Sequence, residues 1–521
     1  MLIDGRTIRN PDALAADLCV VGAGAAGIAL ALELAQSPIR VLLLEQGGAD
    51  RERGGEGLYR IVGRPRPRLV RDPDRAWYVG GSVNYWFGNC RPLDENDFTP
   101  REWIPGSGWP IRRDQLVPFY ERAQQLCGLG DFRLYDLDAC RPHLLHPPLD
   151  VPSPILAHRV LQVCPEPRLA ILHGPRLHEA ANVQIVTGAR VTRLETDAHG
   201  DAVTAIHGVL AGGHRFRVTA RAFVLATGGI ENPRLLLSSR DARPEGLGNR
   251  HDLVGRFFME HTHVDLPVGT WSEGRDLYFH AGRQPVETAA IWGHLVLSED
   301  FMRSERAPGL ALWFQPASIR WAAAATAMRL QRMLLGRSGP VAPLQDLRDV
   351  LAAPGEIVRL ASRGFRRRVR PESSKAVVLR VQPELTPDSG NRVLLSTAHD
   401  AAGQPRAELQ LSWTEQDVQR HARSLRIAAD AIGLDGRRLA TTMQAMLRSR
   451  QVGYFWHHTG TTRMAEDPRE GVVDADCRIH GVSNLFIAGS SVFPTGGTAA
   501  PTLTIVALAV RLASHLRRRF A

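Results

Sequence analysis

The stretch "VVGAGAAG", Val20 to Gly27, constrains the fold of this 521-residue chain more than any other. It overlaps an apolar run from Leu18 to Val21 and opens a helix-compatible stretch that lasts until Pro38, so the segment reads as strand, tight turn, helix. Gly22, Gly24 and Gly27 fit the pattern G-x-G-x-x-G. The first glycine permits the turn, the second lets backbone approach a pyrophosphate, and the third lets helix pack on strand. Amides at the helix start, around Ala25 and Ala26, then face the phosphates. The next apolar run, "VLLLE", ends at Glu45, at the spacing of an acid that accepts hydrogen bonds from a ribose diol. The bland alternative is a glycine-rich turn without a ligand. Strand, fingerprint, helix, strand and acid in that order favour a dinucleotide site.

The fingerprint alone does not choose between NAD and FAD. A second stretch, "ARAFVLATGGIENPRLLLSS", runs from an apolar strand, Phe223 to Leu225, through Ala226 and Thr227 into Gly228 and Gly229. Pro233 is expected in the first turn of the helix that follows. Two strands that end in glycine turns, far apart in sequence, suit one long buried ligand such as FAD.

Composition narrows the remaining classes. With 44% hydrophobic and 23% charged residues, the chain has material for a sizeable core and for two or three packed units. The formal charge of +10 would attract anionic partners if it were clustered, but most of it is dispersed. Lys375 is the one lysine, and no zinc-finger spacing or aromatic RNA-binding signature accompanies the arginines, so no nucleic acid is expected. Cys19, Cys90, Cys127, Cys140, Cys164 and Cys477 include no C-x-x-C pair, which argues against a disulfide framework and a zinc site; no metal is expected. Asp4, Asp12 and Asp17 interrupt the first twenty residues, so these do not read as a signal peptide, and no run of eighteen apolar residues follows. The expectation is a cytoplasmic protein with buried thiols.

Four segments together resemble the glucose-methanol-choline (GMC) oxidoreductase family: "VVGAGAAG" with Glu45, "VGGSVNYWFGNCRPLDENDF" from Val79 to Phe98, "ATGGIENPRLLL" from Ala226 to Leu237, and "HHTGTTRMAEDPREGVVDADCRIHGVSNLFIAGSSVFPTGGTAAPTLTIVALA" from His457 to Ala509. Their order matches the family across nearly the whole chain. The phrases "GTTRM", "NLFIAGSSVFPT" and "PTLTIVALA" narrow the resemblance to the sugar and polyol branch that includes pyranose oxidase and the bacterial fructose and gluconate dehydrogenases. The resemblance implies an α/β Rossmann-type FAD domain plus an α+β substrate domain with an antiparallel sheet. On that pattern residues 1–255 form the first part of the FAD domain, 256–451 the substrate domain, and 452–521 the part that completes the FAD domain and active site. The strand-like ends "SSKAVVLRVQPEL" and "NRVLLST" agree with a sheet.

The resemblance also implies roles. The family pattern H-x-x-G-T falls on His457, Gly460 and Thr461, so His457 is expected to take the substrate's hydroxyl proton as hydride leaves the carbinol carbon for flavin N5. His458 is the competitor, one residue away. Gly81, Ser82, Asn84, Val191, Gly489 and Ser490 are expected beside the cofactor, although for Asn84 a plain turn role is as good a reading. The last helix, opening at Ala500, Pro501 and Thr502, is expected to direct its positive end at the flavin. Relatives carry Asn or His directly before this "P-T", where the chain has Ala500. Either His457 acts without that partner, or another side chain replaces it, or Ala500 stands where the natural chain has another residue. Some sugar oxidases attach FAD through a histidine just before the tryptophan; here Tyr85 precedes Trp86, which suggests non-covalent FAD.

Between Ile319 and Pro371, "IRWAAAATAMRLQRMLLGRS" and "EIVRLASRGFRRRVRP" mix arginines with apolar residues at helical spacing. This basic helical insertion reads as a helix pair packed on its own domain, or as a peripheral contact with an anionic membrane or a partner. The expected activity is oxidation of a CH–OH group of a sugar, polyol or glycoside by an FAD dehydrogenase or oxidase, with oxygen, a quinone or a redox protein as acceptor. Ala500 keeps open an FAD-containing lyase or internal redox isomerase of the same fold.

Overall fold

The computed structural model of the chain describes residues 1–9, 14–50, 62–64, 76–270, 277–316, 376–400 and 402–521. The basic stretch 319–371 lies outside the described residues.

A six-stranded parallel sheet is built from β1 (Leu2–Asp4), β2 (Leu18–Val21), β3 (Val41–Leu44), β4 (Val183–Thr187), β5 (Ala222–Leu225) and β6 (Leu485–Ile487), in the order β1-β4-β3-β2-β5-β6. The central strands β2, β3 and β5 are buried at every position, as a parallel sheet covered on both faces requires. Helix α1 (Ala25–Leu34) leaves β2 through the glycine loop and packs against the C-terminal helix α3 (Thr502–Phe520). The chain therefore enters this sheet near its N-terminus, at Leu2–Asp4, and returns to it at Leu485–Ile487, before its C-terminal helix.

The glycines of the fingerprint differ in what they allow. Gly22 has φ +104°, and a Cβ there would sit 2.6 Å from the Ala226 carbonyl oxygen. A Cβ on Gly27 would come within 2.0 Å of the Gly22 carbonyl oxygen, so its place is in the helix–strand packing. Among the described residues beyond its chain neighbours, a Cβ on Gly24 would meet no atom within 4 Å. Two of the three positions thus close the loop, and one opens onto space.

Helix α2 spans Gly228–Ser238, which moves Pro233 out of the first turn and into the helix interior. Proline has no N–H for the carbonyl four residues earlier, that of Gly229. Thr461 compensates: its hydroxyl donates to the Gly229 carbonyl at 2.7 Å. The helix survives its proline because a distant segment satisfies the freed acceptor.

A second, antiparallel sheet runs in the order Gly453–Tyr454, Thr262–Thr270, Ala376–Pro383, Leu310–Pro316, Ala289–Leu297, Leu156–Val163, Asn89–Cys90. Its central strands come from 256–451, while strands Leu156–Val163 and Asn89–Cys90 are lent from earlier in the chain. The helices Glu415–Ala431 and Gly436–Ser449 share a hydrophobic core with it, including Leu266, Leu379, Leu425 and Met443. A buried two-pronged ion pair, Arg101 to Glu384 at 2.6 and 2.8 Å, ties the region after Cys90 to the end of strand Ala376–Pro383. All six cysteines are buried and unpaired in disulfides.

Candidate active site

The segment that carries the two histidines is fixed from three sides. Asn232 of α2 accepts from the Thr227 amide and hydroxyl at 2.9 and 2.6 Å and donates to the Ser491 hydroxyl at 3.0 Å. Ser491 in turn meets the Thr462 hydroxyl at 2.7 Å, and the Ser490 hydroxyl donates to the His458 carbonyl at 2.6 Å. Gly460, at φ +89°, lets the chain turn where a Cβ would lie 2.1 Å from the Phe257 carbonyl oxygen. The motifs "ATGGIENP", "H-x-x-G-T" and "AGSS" are therefore one hydrogen-bonded unit.

One cavity runs from the fingerprint to the histidines. Gly22, Gly24, Ala25, Ala26, Glu45, Gly81, Ser82, Val191, Ala226, Thr227, Gly228, Gly489, Ser490, Ala500, Pro501, Thr502, His457 and His458 all line it. Gly27 and Asn84 do not. Gly27 is spent on packing, and the Asn84 amide donates to the Val79 carbonyl at 3.1 Å within its own loop, the turn reading. Among the described residues, Gly228 and Gly489, like Gly24, would present a Cβ to open space. Three glycines from three segments thus leave a continuous trough that side chains would fill, which fits an elongated ligand such as FAD. The antiparallel sheet adds Trp313 and Gln382 to the lining, and neither carried a motif in the sequence.

Glu45 is buried, and burial raises its carboxyl above the ordinary range while backbone hydrogen bonds from Gly47 and Ala23 oppose the rise. Its two oxygens accept from the Ala23 and Gly47 amides, each at 3.0 Å. The carboxylate therefore shapes the glycine loop as well as facing the cavity. Glu45→Ala is expected to weaken FAD binding by about 1 to 3 kcal/mol, since the Ala23 and Gly47 amides lose their acceptor and, on the ribose role expected from its spacing, the ribose hydroxyls lose theirs with them. Titration of the flavin-free variant with FAD checks this; unchanged affinity would move the ribose contact elsewhere.

His457 and His458 both reach the cavity wall but lean on different partners. The His457 ring stacks on Phe455 with centroids 5.7 Å apart and shares a hydrogen bond with His261, Nδ1 to Nδ1, at 2.9 Å. The His458 ring packs against Phe258, and its Nε2 lies 3.3 Å from Glu260 Oε2. Glu260 Oε1 also accepts from the His457 amide at 2.8 Å. Burial holds His457 well below the ordinary histidine range, with His261 and His458 adding to the effect. The ring is therefore neutral near pH 7, and its capacity to accept a proton on the cavity side depends on which nitrogen carries the proton. Sequence reasoning missed His261 and Glu260. Their signal was the polar cluster "MEHTH" interrupting an otherwise apolar strand approach.

Burial pushes the Glu260 carboxyl up to about 8, against backbone hydrogen bonds from His457, Trp456, His261 and Phe455 that pull it down. The ordinary value for the unfolded chain is 4.5, so the unfolded state releases this proton first as pH rises. The contribution is then fully present below about pH 4.5 and is lost progressively up to about pH 8. Glu260→Gln, neutral at every pH, should lack that slope. Melting temperatures of wild type and variant across this range are expected to diverge in favour of the variant as pH rises; divergence the other way would mean Glu260 is ionised in the fold.

Comparison with known proteins agrees with this architecture. A family profile described as FAD dependent oxidoreductase matches residues 17–245, and one described as GMC oxidoreductase matches residues 387–509. The chain is 27% identical to 6'''-hydroxyparomomycin C oxidase of Streptomyces lividus, over 96% of this chain and 92% of that protein. It is 24% identical to the fructose dehydrogenase large subunit of Gluconobacter japonicus, over 97% of this chain and 98% of that one. Among solved structures, pyridoxine 4-oxidase from Mesorbium loti superposes with a TM-score of 0.58 at 18% identity, covering 96% of this chain and 99% of that one, a likeness of fold.

Proposed function

We propose that the chain is a glucose-methanol-choline oxidoreductase, the family whose profile matches residues 387–509, and that it oxidises an alcohol group of a sugar, polyol or glycoside, with His457 receiving the hydroxyl proton. The observation that carries the reading is a single cavity whose floor is the glycine trough and whose wall holds a neutral histidine. The relatives named fructose dehydrogenase large subunit and 6'''-hydroxyparomomycin C oxidase support the substrate class.

FAD, when bound, supplies the acceptor for the hydride that leaves the carbinol carbon. The chain's own groups do the rest. Gly24, Ala25 and Ala26 offer backbone to the pyrophosphate, Glu45 takes the ribose, and Gly81, Ser82, Gly228, Gly489 and Ser490 line the trough between them. His457 accepts the hydroxyl proton through the ring nitrogen that His261 does not occupy. Pro501 and Thr502 open α3, whose N-terminal amides place partial positive charge at the cavity wall. Residues 1–255 and 452–521 then act as the cofactor part and 256–451 as the substrate part, with FAD held non-covalently beside Tyr85.

The test is anaerobic mixing of the FAD-loaded protein with a panel of sugars, polyols and glycosides. Stable bleaching of the flavin by a member of the panel, and turnover with a dye acceptor, are expected. Conversion of substrate with the flavin unchanged at the end would point instead to the lyase or internal isomerase. Turnover with dye but without peroxide would assign a dehydrogenase, the reading we favour over an oxidase.

A further inference from the structure

We propose that His261 is a positioning residue that fixes the tautomer of His457, replacing from behind the partner that Ala500 does not provide. The inference rests on the reading of His457 as the proton acceptor. Ala500 lines the cavity and brings no polar group to it. His261 is 4% exposed, does not line the cavity, and touches His457 through a ring-to-ring hydrogen bond at 2.9 Å.

Two neutral imidazoles joined Nδ1 to Nδ1 share one proton, and only one arrangement suits a base in the cavity. If His457 Nδ1 accepts, its proton sits on Nε2, and the nitrogen left for the cavity has no lone pair. If His457 Nδ1–H donates, Nε2 is free to accept. The surroundings of His261 decide between them. Burial lowers His261 to about 4, opposed by the carbonyls of Gly496 and Gly497, so it carries a single proton near neutrality. Among the described residues its Nε2 has no hydrogen bond of good geometry, and it lies against this same backbone; a Cβ on Gly496 would be 3.4 Å from it. A bare lone pair facing carbonyl oxygens is repelled, whereas an N–H is attracted. The proton therefore resides on His261 Nε2, His261 Nδ1 accepts, and His457 Nδ1–H donates.

The charged groups nearby do not disturb this choice. Around His457 they are His261, His458 and Glu260, and around His261 they are Glu384 and Arg91. Glu384 is neutralised by its paired Arg101. When His457 takes a proton, the same Nδ1–H···Nδ1 bond steadies the imidazolium, so His261 acts in the neutral and in the charged form.

The test combines spectroscopy with kinetics on the FAD-loaded protein. In 15N-histidine-labelled wild type, with the His457 signals assigned by loss in His457→Ala, Nε2 is expected to resonate as an unprotonated imidazole nitrogen and Nδ1 as a protonated one. His261→Leu should mix the two tautomers, lower kcat/KM about 10- to 100-fold without loss of flavin, and move its acid limb to lower pH, because the imidazolium has lost an acceptor. His261→Asn, whose Oδ1 can stand in for Nδ1, should recover most of the rate and of the limb. A wild-type His457 protonated at Nε2, or a His261→Leu variant with unchanged tautomer and pH profile, overturns the inference. Should His261→Leu fail to fold, the wild-type spectrum and His261→Asn still decide it. If the tautomer is as stated but His457→Ala reduces flavin at the wild-type rate, the base assignment fails instead.

Discussion

Gly24→Val is expected to yield a folded, colourless protein that does not take up FAD. The backbone at Gly24 is extended, with φ −83° and ψ −166°, so valine meets no conformational barrier there. Among the described residues beyond its two chain neighbours, no atom lies within 4 Å of the added Cβ, so the fold has room for it. On the proposed placement of FAD, the same room is where backbone approaches the pyrophosphate, and three carbon atoms would fill it. A loss of about 3 kcal/mol or more, over 100-fold in affinity, follows from excluding the phosphates from the amides of α1. Circular dichroism and the melting temperature of the flavin-free protein should match wild type, while flavin absorbance per chain falls to background. Gly27→Val is the contrasting control. Its Cβ would press to 2.0 Å on the Gly22 carbonyl oxygen, so that variant should fail as a folded protein whether or not FAD is present. Full flavin occupancy in Gly24→Val would remove the cofactor from the fingerprint.

The difference between these two glycines marks how far sequence can be read. Spacing alone identified G-x-G-x-x-G and Glu45, because a strand, a turn and a helix in immediate succession leave little freedom in how they fold. H-x-x-G-T was legible through family resemblance, and the structure adds a reason for its threonine. Thr461 satisfies the carbonyl that Pro233 strands, across 232 residues of sequence. No local pattern encodes such a bond, and so the place of Pro233 within α2 was misjudged by sequence. His261 was hidden for the same reason. It meets His457 from 196 residues away, and its chemistry depends on which backbone carbonyls surround it. Asn84 shows the opposite limit. A polar residue in a glycine-rich loop suits a ligand and a turn equally, and only the direction of its amide, toward the Val79 carbonyl, separates them. Sequence also assigns strands to sheets poorly when they come from far apart. Leu156–Val163 pairs with Ala289–Leu297 over seven successive residues, although it lies well before the segment expected to form that sheet.

His457→Ala should slow anaerobic flavin reduction by roughly 10² to 10⁴-fold, the usual contribution of a positioned base, with FAD still bound. The frame around the site gives reason to expect a clean loss. Glu260 holds this position through the His457 amide, at 2.8 Å, and that bond does not need the ring. Thr461, Thr462 and Ser490 fix the following turn independently. The truncation therefore removes the imidazole and leaves its backbone in place. His458→Ala is the control one residue away, and a different outcome is expected. Its ring packs on Phe258 and lies 3.3 Å from the Glu260 carboxyl, so its removal strips a contact from a buried acid and should lower the melting temperature. Its effect on reduction should stay below about tenfold, because on this reading it does not hold the substrate's proton. Stopped-flow reduction of both variants with one accepted substrate, alongside their melting temperatures, separates the roles. If His458→Ala loses the rate and His457→Ala keeps it, the two neighbours exchange parts: the contact with Glu260 becomes the catalytic one, and the His261 pair becomes a structural brace.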